Sequence, residues 1–348
     1  MGRVTYSFVI PIYNEEATLG ALHERLSRLL DRLDGESEVL LVDDGSVDAS
    51  YSMMVELNRR DPRFKVVELS RNFGHQLAIT SGLDLAEGDA VIVMDADLQD
   101  PPEVVPAMID KWREGFEVVY GIRDDRSSDG WFKRTSAEWF YRVLRRLTDI
   151  DVPFNAGDFR LIDRRAVEAF KSMREGSRFV RGMFAWMGFR QTGVPYQRAE
   201  RHAGSTKYPF RKMLHLATDG VVGFSRVPLR LALKIGFLCS ILAFLGGGAA
   251  MALKITGLYT VPGWASVVCI VCFLGGLQLA VLGMMGEYLG RIYEDVMHRP
   301  LYIVRTLHGV VPVLDGAPRA VIAAPRTVPA LLGPMPLVDV RQPIDIRD

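Results

Sequence analysis

The chain has 348 residues, and its 42 basic and 42 acidic side chains leave no formal net charge. Nucleic-acid-binding proteins usually carry a basic excess, so this balance argues against that class of partner. Hydrophobic residues make up 49% of the chain and charged residues 24%, as in ordinary globular proteins. The distribution is uneven, because residues 235–285 are almost free of charge and the last fifty or so are rich in proline.

In the first third of the chain, apolar runs alternate with helical patterns. Repeated strand–helix units predict an α/β fold with a mostly parallel sheet and helices on both faces. The predicted strands are Tyr6–Pro11, Glu38–Val42, Phe64–Leu69 and Ala90–Met94, and the predicted helices that follow them are Glu15–Leu33, Asp48–Arg60, Gln76–Ala86 and Pro102–Glu114.

Polar, glycine-punctuated loops follow the four predicted strands. In a parallel sheet the ligand site lies beyond the carboxyl ends of the strands, so these loops should converge on one edge. The sequence contains neither the dinucleotide-binding glycine pattern nor a P-loop. The four loops are residues 11–15, 43–46, 70–75 and 95–99.

Two carboxylates end the most apolar predicted strand. Asp95 and Asp97 are two residues apart, which on a strand places them on one face, and Gln99 adds another oxygen. Hard oxygen ligands suit Mg²⁺ or Mn²⁺, so this pattern predicts a metal site that would neutralise a substrate diphosphate. The alternative is a pair of loop carboxylates that cap the next helix.

Asp43 and Asp44 end the second predicted strand. A carboxylate in this position can accept a hydrogen bond from a ribose hydroxyl or a base N–H, which indicates contact with a nucleoside. The sequence Asp-Asp-Gly-Ser also favours a tight turn stabilised by the aspartate side chain. Both interpretations can hold together.

Two uncharged stretches near the C-terminal end have the length of membrane spans. Ile235–Leu253 and Val261–Met285 are joined by a short link, which predicts a two-helix transmembrane hairpin rather than a pair of buried core helices. Basic residues flank the pair, so the positive-inside rule places the soluble domain and both termini in the cytoplasm, at the cytoplasmic membrane. Residues 211–230 predict an amphipathic helix, either on the membrane surface or in the core.

Several motifs, in order along the chain, resemble those of family 2 glycosyltransferases with the GT-A fold. The first set is V-I-P-I-Y-N-E-E at 9–16, V-D-D-G-S-V-D at 42–48 and D-A-D at 95–97. A second set is similar to polyprenyl-phosphate glycosyltransferases, which include bactoprenol glucosyltransferases and dolichol-phosphate mannosyltransferases. That set is L-S-R-N-F-G-H at 69–75, D-L-Q-D-P-P-E at 97–103, G-D-F-R at 157–160 and A-G-S-T-K-Y at 203–208.

The resemblance covers roughly residues 5–300 and implies a domain organisation. A GT-A catalytic domain is expected over 1–210, a juxtamembrane helix over 211–230, two transmembrane helices within 231–290 and a cytoplasmic extension over 291–348. The prolines of the tail, Leu307–Asp348, argue against a long helix or a central strand there. The anchor fits the bactoprenol type better than the mannosyltransferases.

The resemblance also implies an activity. One sugar would pass, with inversion, from a nucleotide diphosphate to the phosphate of a polyprenyl lipid, with Mg²⁺ or Mn²⁺ as cofactor. Glucose from UDP-glucose is the leading expectation; mannose from GDP-mannose, galactose, N-acetylated hexosamines and amino-arabinose are alternatives. A processive polysaccharide synthase and a non-catalytic scaffold are the other classes. Self-association is expected.

Site residues follow from the resemblance and from local charge. The implied metal and diphosphate ligands are Asp95, Asp97 and Gln99, and the implied catalytic residues are Asp158 and Asp97. For Asp158, the alternative is a helix cap or a structural ion pair with Arg160. The expected nucleotide-sugar contacts are Pro11, Tyr13, Glu15, Asp43, Asp44, Arg71 and Asp95.

The acceptor phosphate needs positive charge near the membrane, and residues 171–212 are rich in arginine and lysine. A second basic cluster lies in and after Gly121–Gly130, which predicts a mobile loop that closes over the site or, alternatively, a solvated loop. The candidates for the acceptor phosphate are Arg123, Arg134, Arg201, Ser205 and Lys207.

Overall fold

The computed structural model describes residues 4–123, 156–176, 178–197, 227–256, 263–310 and 320–322. Within these residues a single nine-stranded sheet forms the centre of the fold. The strands are β1 (Tyr6–Ile12), β2 (Ser37–Asp43), β3 (Phe64–Leu69), β4 (Ala90–Val93), β5 (Val118–Arg123), β6 (Ala156–Asp163), β7 (Gln191–Tyr196), β8 (Tyr302–His308) and β9 (Ala320–Ile322).

Eight α-helices occur among the described residues. A 3₁₀ turn, Pro102–Val104, leads into the fourth helix. The helices are α1 (Leu19–Leu30), α2 (Ser50–Arg60), α3 (His75–Leu85), α4 (Val105–Arg113), α5 (Arg164–Ser172), α6 (Val180–Trp186), α7 (Val227–Ile255) and α8 (Trp264–Val296).

The sheet has the strand order β7-β5-β6-β4-β1-β2-β3-β8-β9. Strands β1 to β5 and β7 run parallel to one another, whereas β6, β8 and β9 run the opposite way. This confirms the predicted α/β fold with a mostly parallel sheet. All four predicted strands and the four helices after them are present, with shifted ends.

Helices cover both faces of the sheet because alternate residues of each strand point in opposite directions. In β1, Phe8 belongs to the core beneath α1, α2 and α4, whereas its neighbour Val9 belongs to the core beneath α3, α5 and α6. Both residues are completely buried. Two-sided burial explains why the strands read as nearly continuous apolar runs.

The sheet continues beyond the two apolar helices, which the sequence did not predict. β8 pairs antiparallel with β3 and parallel with β9, and it includes Leu307 and His308 from the region expected to lack a central strand. That expectation was wrong for these residues because the prolines begin at Pro312, after β8 has ended. The mobile loop was predicted to begin at Gly121, which was also wrong, because Gly121–Arg123 are the last residues of β5.

One helix among the described residues is long and apolar enough to cross a membrane. The segment is Leu229–Ala249 of α7, whose residues are almost all exposed. Helix α8 contains most of the second predicted span, and its exposed apolar side chains include Phe273, Leu279 and Leu282. The transmembrane hairpin itself remains a prediction, and most of the predicted amphipathic helix over 211–230 lies outside the described residues.

Candidate active site

The candidate site lies at one edge of the sheet. The carboxyl ends of β1 to β5 and β7 meet there because these strands are parallel. β6 runs the opposite way and pairs Arg160 with Val93 of β4, so its first residues lie at the same edge. Asp158, near the start of β6, is thereby brought close to Asp95, which follows β4.

Reciprocal hydrogen bonds join the loops that follow β1 and β2. The backbone N–H of Asn14 donates to Oγ of Ser46 (3.1 Å), and the Asn14 side-chain oxygen accepts from the N–H of Val47 (2.9 Å). Two residues after Asn14, the Glu16 carboxylate accepts from the N–H of Ala49 (3.0 Å). Asn14 has a φ of 55°, which asparagine tolerates better than most residues. The two loops therefore form one connected wall of the site.

Asp43 and Asp44 extend this wall toward α3. Oδ1 of Asp43 accepts from the N–H of Ser46 (3.2 Å), so the turn expected from the sequence is present. The Asp44 carboxylate accepts from the N–H groups of Phe73 (2.7 Å) and Gly74 (3.0 Å). Burial raises the pKa of both aspartates. Both oxygens of Asp44 thus hold the loop that leads into α3.

The other residues predicted to contact the nucleotide lie on or beside this wall. Pro11 is in β1, and Glu15 accepts a hydrogen bond from the hydroxyl of Thr18 (3.0 Å). Tyr13 is 48% exposed, and the guanidinium of Arg71 lies 4.2 Å from the centre of the Phe73 ring. A planar ring and a cation accessible from the same edge suit a nucleotide, but their role stays a prediction.

Asp95 carries a buried carboxylate oxygen without a hydrogen-bond partner. This atom, Oδ1, lies 3.6 Å from Nε2 of His75. Loss of hydration raises the pKa of Asp95 to about 6, and the charges of Asp100 and Asp158 add to the effect while His75 opposes it. The carboxyl group would gain a partner if a cation bound there.

Asp97 lies in the turn after Asp95. Its Oδ1 accepts from the N–H of Gln99 (3.1 Å), and Leu98 between them has a φ of 61°. The described residues contain no group of three or more His, Cys, Asp or Glu side chains placed to hold a metal ion. Two carboxylates, one with an orphaned oxygen, still fit a hard divalent cation whose remaining ligands come from substrate and water.

Asp158 is a buried charged group at this edge. Its carboxylate accepts from Nε (2.7 Å) and Nη2 (2.9 Å) of Arg181, and His75 Nε2 lies 3.3 Å from Oδ2. Arg160, also in β6, places Nη2 3.9 Å from Oδ1. The alternative ion pair with Arg160 is therefore present at longer range, and Arg181 is the nearer partner.

The pKa values of this cluster follow from burial and pairing. Burial favours the neutral acid, but the charge and hydrogen bonds of Arg181 outweigh it and hold the pKa of Asp158 well below its usual range. Burial lowers the pKa of Arg160 to about 10. The acidic neighbours of His75 overcome its desolvation and raise the pKa of the imidazole. Asp158 is therefore ionised and poorly suited to accept a proton.

Arg123 lies at the end of β5 within a second polar group. Its Nε donates to the hydroxyl of Tyr196 (3.2 Å), and that hydroxyl donates to Oδ1 of Asp100 (2.5 Å). Nη2 of Arg123 lies 3.9 Å from the same carboxylate oxygen. The predicted acceptor-phosphate residue is therefore at the expected edge, tied to a buried carboxylate.

The structure brings most of the predicted site residues to one edge. The exceptions are Arg134, Arg201, Ser205 and Lys207, which lie outside the described residues. Two members of the central cluster, His75 and Arg181, received no role from the sequence. His75 ends the motif at 69–75, which was a signal for it, whereas Arg181 stood among the many basic residues of 171–212.

The comparisons agree with the motifs. Residues 7–170 match the family described as Glycosyl transferase family 2. The chain is 47% identical over 308 residues to an uncharacterized glycosyltransferase of Bacillus subtilis, YkcC, covering 88% of this chain and 95% of that one. It is 39% identical over 302 residues to the SfII prophage-derived bactoprenol glucosyl transferase of Shigella flexneri, covering 87% and 98%.

Among solved structures, the mannosyl-3-phosphoglycerate synthase of Rubrobacter xylanophilus aligns with a TM-score of 0.45 and 19% identity, over 67% of this chain and 75% of that one. A likeness of that size carries no information on function. The full-length sequence relatives decide the assignment, because they span nearly the whole of both chains. The protein belongs to glycosyltransferase family 2 and is a transferase with 39% identity to bactoprenol glucosyl transferases over most of its length.

Proposed function

We propose that this enzyme transfers one sugar from a nucleotide diphosphate to the phosphate of a polyprenyl lipid at the membrane surface. A phosphate oxygen of the lipid attacks the anomeric carbon, and the nucleoside diphosphate leaves from the opposite side with inversion. The relatives named for bactoprenol support the lipid class, and their names support glucose as the sugar. UDP-glucose is the donor we expect.

One structural relationship carries the proposal. β8 is antiparallel to β3, so it begins at the carboxyl end of β3, where the N–H of Ser70 donates to the carbonyl of Ile303 (2.8 Å). Five residues separate the end of α8 at Val296 from Tyr302. The exposed apolar helix therefore joins the sheet at the edge that holds the candidate site. A lipid phosphate held at the end of such a helix would meet that edge.

A second contact fixes the same junction. The carboxylate of Asp295, near the end of α8, accepts from the N–H of Gly176 (2.8 Å), four residues before α6 begins. In β8, the hydroxyl of Tyr302 donates to Asp84 (2.8 Å), which also pairs with Arg174 (2.7 Å). These bonds hold the helix end against α3 and the segment before α6, so the edge and the helix would face the membrane together.

A divalent cation would bind at Asp95 and Asp97, with Gln99 beside them. The orphaned Oδ1 of Asp95 and the acidic donor set fit Mg²⁺ or Mn²⁺. When bound, the ion would neutralise charge on the departing diphosphate. The loops after β1 and β2 would hold the nucleoside against Tyr13 and Asp43.

Asp158 would act without taking a proton. A phosphate monoester has a second pKa near 6, so the acceptor is already largely dianionic at neutral pH. The pKa of Asp158 is held far below that range by Arg181. Its negative charge would instead keep Arg181 and His75 in place and stabilise positive charge that develops on the sugar ring.

The proposed location is the cytoplasmic membrane, with the catalytic domain and both termini in the cytoplasm and two spans within α7 and α8. The exposed apolar surface of Leu229–Ala249 supports the first span. Self-association of the chain in the membrane is part of the same proposal.

The decisive experiment uses the purified full-length protein in detergent with Mg²⁺ or Mn²⁺, undecaprenyl phosphate and a panel of labelled nucleotide sugars. We expect label from UDP-glucose to enter the lipid phase as a single-sugar product. If only label from GDP-mannose entered the lipid phase, the donor would be GDP-mannose and the proposed reaction would otherwise stand. A long polymer would indicate a processive synthase, and donor binding without any lipid product would indicate a scaffold.

A further inference from the structure

A buried aspartate covered by an arginine lies at the sheet edge that holds the candidate site. Asp158 exposes only 6% of its side chain, whereas Arg181, which holds both of its oxygens, exposes 29%. His75 exposes 43% on the same cluster. A molecule arriving at this edge would therefore touch the two basic groups before it touched the carboxylate.

We infer that Arg181 binds the phosphate of the lipid acceptor while Asp158 holds it in position. The inference rests on the proposed function. A guanidinium has five N–H groups in a fixed plane, so one arginine can hold a carboxylate on one side and a phosphate on another. The pair with Asp158 fixes the orientation of the guanidinium before the acceptor arrives, which reduces the entropy lost on binding.

The charge of the cluster favours an anion. Arg181 and Arg160 both lie within 4 Å of the single carboxylate of Asp158, at 2.7 and 3.9 Å. His75 lies on the open side of the same carboxylate, with Nε2 3.3 Å from Oδ2. Asp95 offsets part of this charge, and a divalent cation at Asp95 would cancel that offset. The cluster as a whole would then attract a dianion.

Position in the fold assigns this group to the acceptor rather than to the donor. In the sheet, β6 lies on one side of β4, while β1 and β2, whose loops form the expected nucleotide wall, lie on the other side. Arg181 is five residues after Gly176, which is hydrogen-bonded to Asp295 of α8. Helix α8 continues into β8, beyond β3, but its hydrogen bond to Gly176 brings its end to the segment that leads into α6. A lipid phosphate held at that end would lie beside the stretch of chain that carries Arg181.

The test measures binding of farnesyl phosphate, farnesol and inorganic phosphate to the full chain in detergent, together with UDP-glucose binding. In Arg181→Lys we expect the affinity for farnesyl phosphate to fall about tenfold, because the bidentate geometry is lost while the charge remains. Farnesol and UDP-glucose affinities should stay within about twofold of the wild type. Inorganic phosphate should bind more weakly than farnesyl phosphate to the wild type.

Arg190 provides the matched control. It immediately precedes β7, at the sheet edge opposite the site, where its guanidinium lies 5.1 Å from the Phe116 ring centre. Arg190→Lys should leave all four affinities unchanged. Equal effects of Arg181→Lys and Arg190→Lys on farnesyl phosphate binding would overturn the inference.

Folding is separated from binding by a second pair of variants. Loss of Arg181 leaves the buried carboxylate of Asp158 without its nearest cation, so Arg181→Gln is compared in the background of Asp158→Asn, with thermal unfolding as the check. Farnesyl phosphate should bind more weakly to the double variant than to Asp158→Asn alone, and equal binding would reject the role of Arg181.

A wild-type protein that makes no lipid-linked sugar would defeat the proposed function itself. A wild type that turns over, with an unchanged acceptor KM in Arg181→Lys, would defeat only this inference.

Discussion

The carboxylate of Asp44 holds the backbone of Gly74 across two loops that are thirty residues apart in the chain. Oδ2 accepts from the N–H of Gly74 at 3.0 Å, while Oδ1 accepts from Phe73 at 2.7 Å. Gly74 has a φ of 100°, a backbone conformation that residues other than glycine rarely adopt. Asp44 therefore fixes where α3 begins and, with it, the place of His75.

Asp44→Ala should destabilise the protein because two backbone N–H groups lose their acceptor. We expect the free energy of unfolding to fall by about 2 kcal/mol. Asp44→Asn retains one side-chain oxygen and should lose roughly half as much. Thermal unfolding in detergent, followed by near-ultraviolet circular dichroism, measures both variants, and equal stability of Asp44→Ala and wild type would contradict the structural role.

Helix α3 packs so closely on β1 that Gly82 has no room for a side chain. A Cβ atom there would lie 2.3 Å from Cγ1 of Val9. Gly82→Ala should therefore lower the free energy of unfolding by about 1 to 3 kcal/mol, the usual cost of overpacking. Gly20 in α1 is the control, because a Cβ there meets nothing within 4 Å. Gly20→Ala should instead stabilise by about 0.5 to 1 kcal/mol, and the same sign for both variants would refute the packing argument.

Asp163 caps helix α5 and makes stability depend on pH. It accepts from the backbone N–H of Arg165 (2.9 Å) and from Nε1 of Trp112 (2.8 Å). Burial alone would raise its pKa, but these hydrogen bonds outweigh burial and lower the pKa. A lowered pKa in the folded state means that the ionised group stabilises the fold above the unfolded pKa, near 4, and that this contribution disappears as the pH falls through the folded value.

Asp163→Ala should thus cost about 1 to 2 kcal/mol at pH 7 and progressively less below pH 4. Thermal unfolding of the variant and the wild type over pH 3 to 7 measures the difference. Asp110→Ala, at an exposed position of α4, is the control and should show no such pH-dependent difference. A constant gap across the range would show that the charge of Asp163 does not contribute.

Asp158→Asn should reduce turnover far more than donor binding. The substitution removes the negative charge that holds Arg181 and His75, and it leaves Arg181 beside the buried Arg160 without the charge between them. We expect kcat to fall by about 10² or more, because electrostatic stabilisation of the transition state is lost. The affinity for UDP-glucose should change little. Turnover near the wild-type value would remove Asp158 from the mechanism.

Chelation should abolish sugar transfer if a divalent cation binds at Asp95 and Asp97. Activity should vanish with excess EDTA and return when Mn²⁺ or Mg²⁺ is added. Asp95→Asn and Asp97→Asn should each raise the metal concentration needed for half-maximal activity or eliminate activity. Glu114→Gln, on the exposed end of α4, should behave as the wild type. Full transfer in the presence of EDTA would exclude a metal-dependent reaction.

Local patterns were sufficient to predict the first four strands of the sheet and the loops that follow them. The first four strands are apolar runs because both faces of the sheet are covered. Each strand is followed by a polar loop, where the chain leaves the sheet. Asp43, Asp95 and Tyr13 could be placed at one edge because parallel strands end on the same side. The family resemblance rests on these same segments.

The pairing between distant segments was decided only by the tertiary structure. Asp158 meets His75, 83 residues away, because β6 reverses beside β4 and α3 starts above that edge. β8 reaches β3 from the far side of two apolar helices, and nothing in its own residues specifies β3 as its partner. Arg181 is one of many arginines in the sequence, and its position over Asp158 depends on how α6 packs. Sequence periodicity specifies which face of an element is buried, whereas the partner on that face depends on the path of the whole chain.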